Sequence, residues 1–266
     1  MTTKKNTRGR KKVKELDIEE NDLLGLDKPK APNFKINTLK FKSQKQKDYF
    51  DICRDDDTKL VICDGPAGTG KTLLSMYAAL RLIKQGKYEH ILYVRSPVDS
   101  AEQGLGFLPG DIDDKSHNYM IPLEEKLCKF LEYESIKQLL QDDVIISTVN
   151  NFMRGRSIDN TIVIIDEIQN FSLSEAKTLL SRFEENTKII ACGDKAQSDI
   201  GLKSCLTKLI KMFGDEDAPV GGKTIKEHSE EQGVHTFAFD IEDVVRSGLT
   251  KYVLEVFARN EKIMRH

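Results

Sequence analysis

The sequence predicts an α/β fold with a mostly parallel sheet flanked by helices, and three observations predict it. The apolar run Leu60-Val61-Ile62-Cys63 leads into Gly65-Pro66-Ala67-Gly68-Thr69-Gly70-Lys71-Thr72, and a helix-forming run, Leu73 to Leu80, follows directly. Thr161-Ile162-Val163-Ile164-Ile165 is a row of β-branched residues ending in Asp166-Glu167, and such a row reads as a strand buried on both faces. Shorter apolar runs at Ile91–Val94, Val144–Thr148 and Lys188–Cys192 alternate with helix-patterned stretches, the arrangement that parallel sheets require.

The loop comes first because its context is the most specific. A strand before G-x-x-x-x-G-K-[ST] and a helix after it separate this motif from an ordinary glycine-rich turn. Glycine lets the backbone wrap phosphate oxygens where a Cβ would clash. Successive N–H groups, with the positive end of the following helix, then form an anion cradle. Gly65, Pro66, Ala67, Gly68, Thr69 and Gly70 are the expected cradle. Lys71 is placed for the β- and γ-phosphates of a nucleotide, and the Thr72 hydroxyl for Mg²⁺.

The strand ending in Asp166-Glu167 completes that chemistry. Two carboxylates at the end of a buried strand are costly unless a metal or a reacting group faces them. Asp166 is suited to hold Mg²⁺ through its water shell, and Glu167 to orient or deprotonate the attacking water. A Glu directly after this Asp marks nucleotide hydrolases with an extra strand between the loop strand and the Asp strand. Val144–Thr148 stands in sequence position to be an added strand.

The remaining segments are read in chain order. Lys4, Lys5, Arg8, Arg10, Lys11, Lys12 and Lys14 precede the acids Glu15, Asp17, Glu19, Glu20 and Asp22 with almost nothing apolar between. Residues 1–35 therefore read as a disordered charged tail, either a non-specific nucleic-acid contact or a solubilising segment, and 36–266 as a single domain. Gln46 and Tyr49 lie three apart on one helix face. Beside a nucleotide loop their expected roles are an amide on the adenine edge and a ring stacked on the base. Arg95 ends the Ile91–Val94 strand, where ligand groups gather in open α/β sheets. Gly104–Asp111 is a structured loop, open between an oligomer contact and a nucleic-acid contact. Residues 119–141 show helical apolar spacing and packing alone. Arg154 and Arg156 flank Gly155 and suit bidentate phosphate contact or plain surface charge. Ser174–Phe183 reads as a helix. Gln197, after the Lys188–Cys192 strand and Gly193-Asp194, is placed to sense the γ-phosphate. Residues 214–233 read as a flexible excursion, Thr236–Phe239 as a last or edge strand, and the stretch from Leu249 to about Asn260 as a helix.

Bulk properties bound the classes. The net charge of −2 gives no overall argument for nucleic acid. Five widely spaced cysteines without a C-x-x-C pair argue against a cysteine zinc site and for a reducing, cytoplasmic compartment. No run reaches membrane-span length, and no apolar segment follows the basic N-terminus, so neither a membrane span nor a secretory signal is expected.

Together the motifs resemble the PhoH family of P-loop ATPases over roughly residues 40–260. The anchors are Gln46-x-x-Tyr49, Gly65–Thr72, the Leu-Gly-Phe-Leu-Pro-Gly-Asp string within Gly104–Asp111, Met153-Arg154-Gly155-Arg156, Ile165-Asp166-Glu167-x-Gln169-Asn170, Gly193-Asp194-x-x-Gln197 and Asp243-Val244-Val245-Arg246. The resemblance implies a RecA-like P-loop NTPase core related to superfamily 1 helicases. It further implies ATP and Mg²⁺ as cofactors, ATP hydrolysis, RNA-related roles and ring-like oligomers; a hexamer is the expected size where a neighbouring subunit must supply an Arg to each site. The chain departs from the pattern with Arg95-Ser96-Pro97 where Arg-Pro is usual and with the long 214–233 segment. No KH or PIN module is visible, as in compact phage and bacterial versions. A helicase of this type uses an Arg from a second lobe, and this chain has length for one lobe. Arg246 or Arg182 of a neighbouring subunit is therefore the expected donor. The leading expectation is an ATPase acting on RNA or single-stranded nucleic acid. Against it stand an ATP-gated switch or scaffold that moves nothing, and a small-molecule kinase using the same loop.

Overall fold

A computed structural model describes residues 32–96, 112–149, 158–182, 184, 186–217, 219–245 and 248–264. The chain divides into two units, Met1–Lys30 and Ala31–His266, and every described residue belongs to the second. Gly104–Asp111, Arg154, Arg156 and Arg246 lie outside the described residues.

The elements run β1 (Leu60–Asp64) after α1 (Gln44–Arg54), then α2 (Lys71–Lys84), β2 (His90–Arg95), α3 (Ile112–Leu127), α4 (Tyr133–Gln141), β3 (Ile145–Val149) and β4 (Thr161–Asp166). They continue with α5 (Leu173–Leu180), β5 (Lys188–Gly193), α6 (Leu206–Gly214), β6 (Pro219–Val220), β7 (Lys223–Thr224), α7 (Ile225–Glu231), β8 (Val234–Ala238) and α8 (Gly248–Met264). Six strands form one sheet in the order β3-β2-β4-β5-β1-β8, and every pairing in it is parallel.

β1, β4 and β5 are buried at every position, because helices cover both faces. Alternate strand residues feed two cores. Val61, Cys63, Ile91, Tyr93, Ile162, Ile164, Ile190 and Cys192 meet α1 to α4 on one face. Ile62, Leu92, Val94, Val163, Ile165, Ile189 and Ala191 meet α5 and α6 on the other. The first face is aromatic: the Tyr77 ring stacks between Phe50 and Phe130, with centroids 5.2 and 5.0 Å away. α2 is buried on almost every side, so it is held by packing rather than by amphipathic spacing.

Two expectations are corrected here. The strand between the loop strand β1 and the Asp strand β4 is β5, while the Val144–Thr148 strand, β3, lies at the far edge beyond β2. Sequence order places β3 before the Asp strand, but only crossover connections decide sheet order. The 214–233 segment is not a featureless excursion. It holds the β6–β7 hairpin and α7, whose start is fixed by a reciprocal capping box between Thr224 and Glu227. That T-x-x-E pattern stands in the sequence, outweighed there by the neighbouring Gly221-Gly222. The strand, helix and edge-strand expectations at Ile91–Val94, Ser174–Phe183, Thr236–Phe239 and from Leu249 onward correspond to β2, α5, β8 and α8, with α5 ending at Leu180.

Candidate nucleotide site

The C-terminal ends of β1, β4 and β5 meet at one point, and the loop Gly65–Gly70 rises there from β1 into α2. Gly70 caps α2 in the left-handed region, at φ 94°, and a Cβ on it would stand 3.3 Å from Gln46 Nε2. Glycine is needed at that position on both counts. The loop is braced from inside: the Thr69 hydroxyl donates to Pro66 O at 3.0 Å. Lys71, 9% exposed, donates through Nζ to Gly65 O and, at 3.0 Å, to Pro66 O. Its ammonium thus rests on the carbonyls of the loop that it would leave to reach a phosphate.

Outside contacts hold the loop as well. Gln46 Nε2 donates to Thr69 O at 2.8 Å, and Gln46 Oε1 accepts from Lys42 N at 2.8 Å. The Val245 N–H donates to Gly68 O at 3.1 Å. Lys45 ties α1 to the turn after β8 through Asp240 (2.6 Å) and Asp243 (3.1 Å). The hydrogen bond to Asp240, with Asp243 behind it, holds the Lys45 ammonium above the usual lysine range.

This geometry corrects the adenine expectation. Tyr49 is fully buried, its ring packed on Phe237 and Phe239 and its hydroxyl bonded to Ser75 Oγ (2.8 Å) and Cys192 Sγ (3.3 Å). A ring enclosed in this way has no face for a base. Gln46, 4% exposed, is turned onto the loop as a brace.

The metal-type residues come together. The Thr72 hydroxyl donates to Asp166 Oδ1 at 2.7 Å, joining the loop to β4. Tyr93 from β2 donates to the other oxygen, Asp166 Oδ2, at 2.5 Å. Lys126 Nζ, from the last turn of α3, stands 3.4 Å from that same oxygen. Among the described residues no cluster of three or more His, Cys, Asp or Glu side chains could enclose a metal. A hydroxyl and one carboxylate are instead the hard-oxygen pair that suits Mg²⁺, which keeps its waters and takes phosphate oxygens.

Glu167 sits in the left-handed region at φ 55°, ψ 44°, unusual for a residue with a long side chain. The strained turn leaves its carboxylate bonded to Gln169 Nε2 at 2.7 Å. Gln169 is 1% exposed, and its amide also reaches the turn after β5: Oε1 accepts from Asp194 N at 3.1 Å, and Nε2 lies 3.4 Å from Gln197 O. Gly193 makes room for it, since a Cβ there would fall 2.6 Å from Gln169 Oε1. One buried amide therefore links Glu167 to the Gly193–Gln197 turn. The Gln197 side chain is exposed on that turn.

Two further acids surround the loop. Asp64, closing β1, accepts from Lys195 N at 3.0 Å and pairs with Lys195 Nζ at 2.9 Å. Burial pushes the Asp194 carboxyl above the usual range, against the steadying N–H groups of Ala196 and Ala67 and the charge of Lys71. Of the arginines, Arg95 ends β2 in register with Asp166. Arg182 lies between α5 and β5, where the chain enters the parallel sheet at the end opposite the Gly65–Gly70 loop, two residues before Glu184, whose N–H bonds Ile158 O ahead of β4. Asp64, Tyr93 and Lys126 are not identifiable from the motifs, and Asp194 stands there only within the Gly-Asp-x-x-Gln string. Gln169 is visible there only as part of the Asp-Glu-x-Gln string.

The parallel sheet, the loop on the β1–α2 connection and the Thr72–Asp166 contact define a RecA-like α/β core of the P-loop NTPase class. The family of PhoH-like proteins matches residues 38–258, and the chain belongs to the PhoH family. It is 32% identical over 227 residues to the PhoH-like protein of Bacillus subtilis, covering 85% of this chain and 66% of that one. It is 30% identical to a Mycobacterium tuberculosis PhoH-like protein, covering 85% and 59%. It is 32% identical to Escherichia coli Protein PhoH, covering 76% and 54%. The chain thus spans little more than half to about two-thirds of the length of the curated relatives it matches. Among solved structures, a Sulfolobus solfataricus SWI2/SNF2 ATPase core in complex with dsDNA aligns at 14% identity and a TM-score of 0.41, over 80% of this chain and 47% of that one. Among the described residues no helix is long and apolar enough to cross a membrane.

Proposed function

We propose that this protein is an Mg²⁺-dependent ATPase that couples hydrolysis to remodelling of RNA or single-stranded nucleic acid. The observation that carries the ATPase reading is the Thr72–Asp166 hydrogen bond at the mouth of the loop, with Glu167 next in sequence. In this reading the loop N–H groups and Lys71 bind the triphosphate. Thr72 and Asp166 hold Mg²⁺, which supplies charge stabilisation as the γ-phosphoryl group departs. Glu167 orients and deprotonates the attacking water. Gln169 holds Glu167 in place, and Gln197 senses the γ-phosphate from the turn that Gln169 links to it. Arg95, Arg154 and Arg156 are the phosphate or nucleic-acid contacts.

The protein acts as a cytoplasmic homo-oligomer, with residues 1–35 as a charged tail and Arg246 or Arg182 of a neighbouring subunit completing each site. α8 supports the oligomer: Leu249, Tyr252, Val253, Val256 and Phe257 are exposed at helical spacing, an apolar stripe of the kind that a neighbour covers. Steady-state ATP turnover with Mg²⁺, alone and with single-stranded RNA or DNA, tests the reading against Glu167→Gln as the blank. Stimulation by one polymer, absent from the blank, is expected. Turnover indifferent to both polymers would leave an ATP-gated switch. Mixing Arg246→Ala with Glu167→Gln protein tests sharing: activity changed from either alone is expected, and unchanged activity overturns it.

A further inference from the structure

Asp166 is 5% exposed, and its two oxygens have different neighbours. Oδ1 faces the loop and receives the Thr72 hydroxyl. Oδ2 faces away, receives the Tyr93 hydroxyl and has Lys126 Nζ 3.4 Å from it. Lys126 belongs to neither nucleotide motif; it comes from α3, which packs with α2 over the same face of the sheet.

The ammonium is held at this position. Lys126 Nζ donates to Pro122 O at 3.0 Å and lies 3.5 Å from the Tyr93 hydroxyl. It also stands 5.7 Å from the centroid of the Tyr93 ring, within cation–π range. Its side chain is 24% exposed, so only part of its charge is open to screening by water.

We infer that Lys126 is a resident cation of the magnesium site, set against the outer oxygen of Asp166 so that the metal is held more weakly than by the carboxylate alone. The inference rests on the proposed Thr72–Asp166 metal site. Mg²⁺ in such sites relies on one or two carboxylates, so a fixed positive charge on the carboxylate acts directly on the metal. With the neighbouring Tyr93 buried, like-charge repulsion there is less screened than at an open surface. A protein built this way ties nucleotide loading to the free Mg²⁺ level and keeps Asp166 neutralised while the site is empty.

The test is Mn²⁺ binding in the presence of a non-hydrolysable ATP analogue, so that turnover plays no part, read by the loss of the free-ion paramagnetic resonance signal beyond that caused by the analogue alone. Lys126→Met keeps the packing stem and removes the charge; Lys126→Arg keeps the charge. Lys126→Met is expected to bind Mn²⁺ about three- to tenfold more tightly, and Lys126→Arg to stay within about twofold of the parent. Equal or weaker binding by Lys126→Met, in protein whose circular dichroism is unchanged, overturns the inference. If the Met variant does not fold, Lys126→Gln is read in its place by the same criterion. Failure of the underlying metal site is seen separately: the parent protein would then take up no Mn²⁺ that Thr72→Ala abolishes.

Discussion

Two buried lysines stand at opposite ends of the sheet, and each donates to two backbone carbonyls. Lys71 opens α2 at the loop end and holds Gly65 O and Pro66 O. Lys188 opens β5 at the other end, with no exposed surface, and holds Asp55 O at 2.5 Å and Thr58 O at 2.6 Å. Their surroundings differ. The buried acids Asp64, Asp166 and Asp194 stand at the Lys71 end, and Asp194 feels the Lys71 charge. Around Lys188 burial dominates and pushes the ammonium down to about 8. The acceptors differ too. Those of Lys71 belong to a loop shaped for phosphate, so its bonds are exchangeable. Those of Lys188 belong to the end of α1 and the approach to β1, far from the loop. In the proposed reading the same side chain in the same bonding pattern serves binding at one end and architecture at the other.

The largest effect expected from this contrast is at Lys71. Lys71→Ala should weaken nucleotide binding about 100-fold, the loss of two charge-assisted contacts of about 1.5 kcal/mol each. Its urea midpoint should barely move. Fluorescence titration with a labelled nucleotide, beside urea unfolding, checks both halves. An unfolded variant, or one that still binds, would erase the distinction between the two ends.

Glu167 comes next because the proposed mechanism assigns it to the reaction and not to binding. Glu167→Gln should lower ATP turnover about 100-fold or more, the range for loss of a general base, with nucleotide affinity nearly unchanged. Gln169→Leu should follow with a smaller loss of about tenfold, since it displaces Glu167 without removing it. Because the same amide holds Asp194 N, the variant should also lose about 1–2 kcal/mol of stability. Kinetics on both variants, with binding measured separately, would show turnover falling while affinity holds. A Gln169→Leu protein with parental turnover would mean that Glu167 needs no support from the β5 turn.

The loop end of the molecule was largely legible in the sequence and the other end was not. Gly65–Thr72 and Asp166-Glu167 carry local patterns whose chemistry dictates their residue types, so strand, loop and helix could be placed from spacing alone. Lys188 looks like the polar edge of an apolar run, because a lysine at a strand start is ordinarily exposed. Only the fold brings Asp55 O and Thr58 O over it. Lys126 and Tyr93 were hidden for a similar reason, since they reach Asp166 from separate elements and only the sheet order brings them there. Tyr49 misled because its spacing from Gln46 identifies the shared face of α1 but not what that face meets. The face meets the core and the loop, so Tyr49 packs on Phe237 and Phe239.

The smallest expected effect near neutral pH is that of Lys188→Met, and its pH dependence separates the two lysines most sharply. Lys188 titrates near 8 when folded, against 10.5 unfolded, so between those values the unfolded chain binds more protons. Stability from this group therefore rises with pH across the window, and the cost of the buried charge is fully present below about pH 8. Near pH 7.5 replacement by Met relieves that cost but leaves two carbonyls without a donor, so the opposing effects should leave the variant within about 1 kcal/mol of the parent. From pH 7.5 to 9.5 the parent should gain about 2 kcal/mol on the variant, as its lysine becomes neutral while still donating. Buried thiols act in the opposite sense. Burial raises Cys192 to about 11 and Cys205 to about 12, so both proteins lose stability as pH climbs above 9, and that loss cancels in the difference. Urea unfolding of the pair at the two pH values measures the gap. A gap that stays constant would mean that Lys188 keeps its charge throughout, and the carbonyl pair at that end would then hold an ammonium as firmly as the loop holds Lys71.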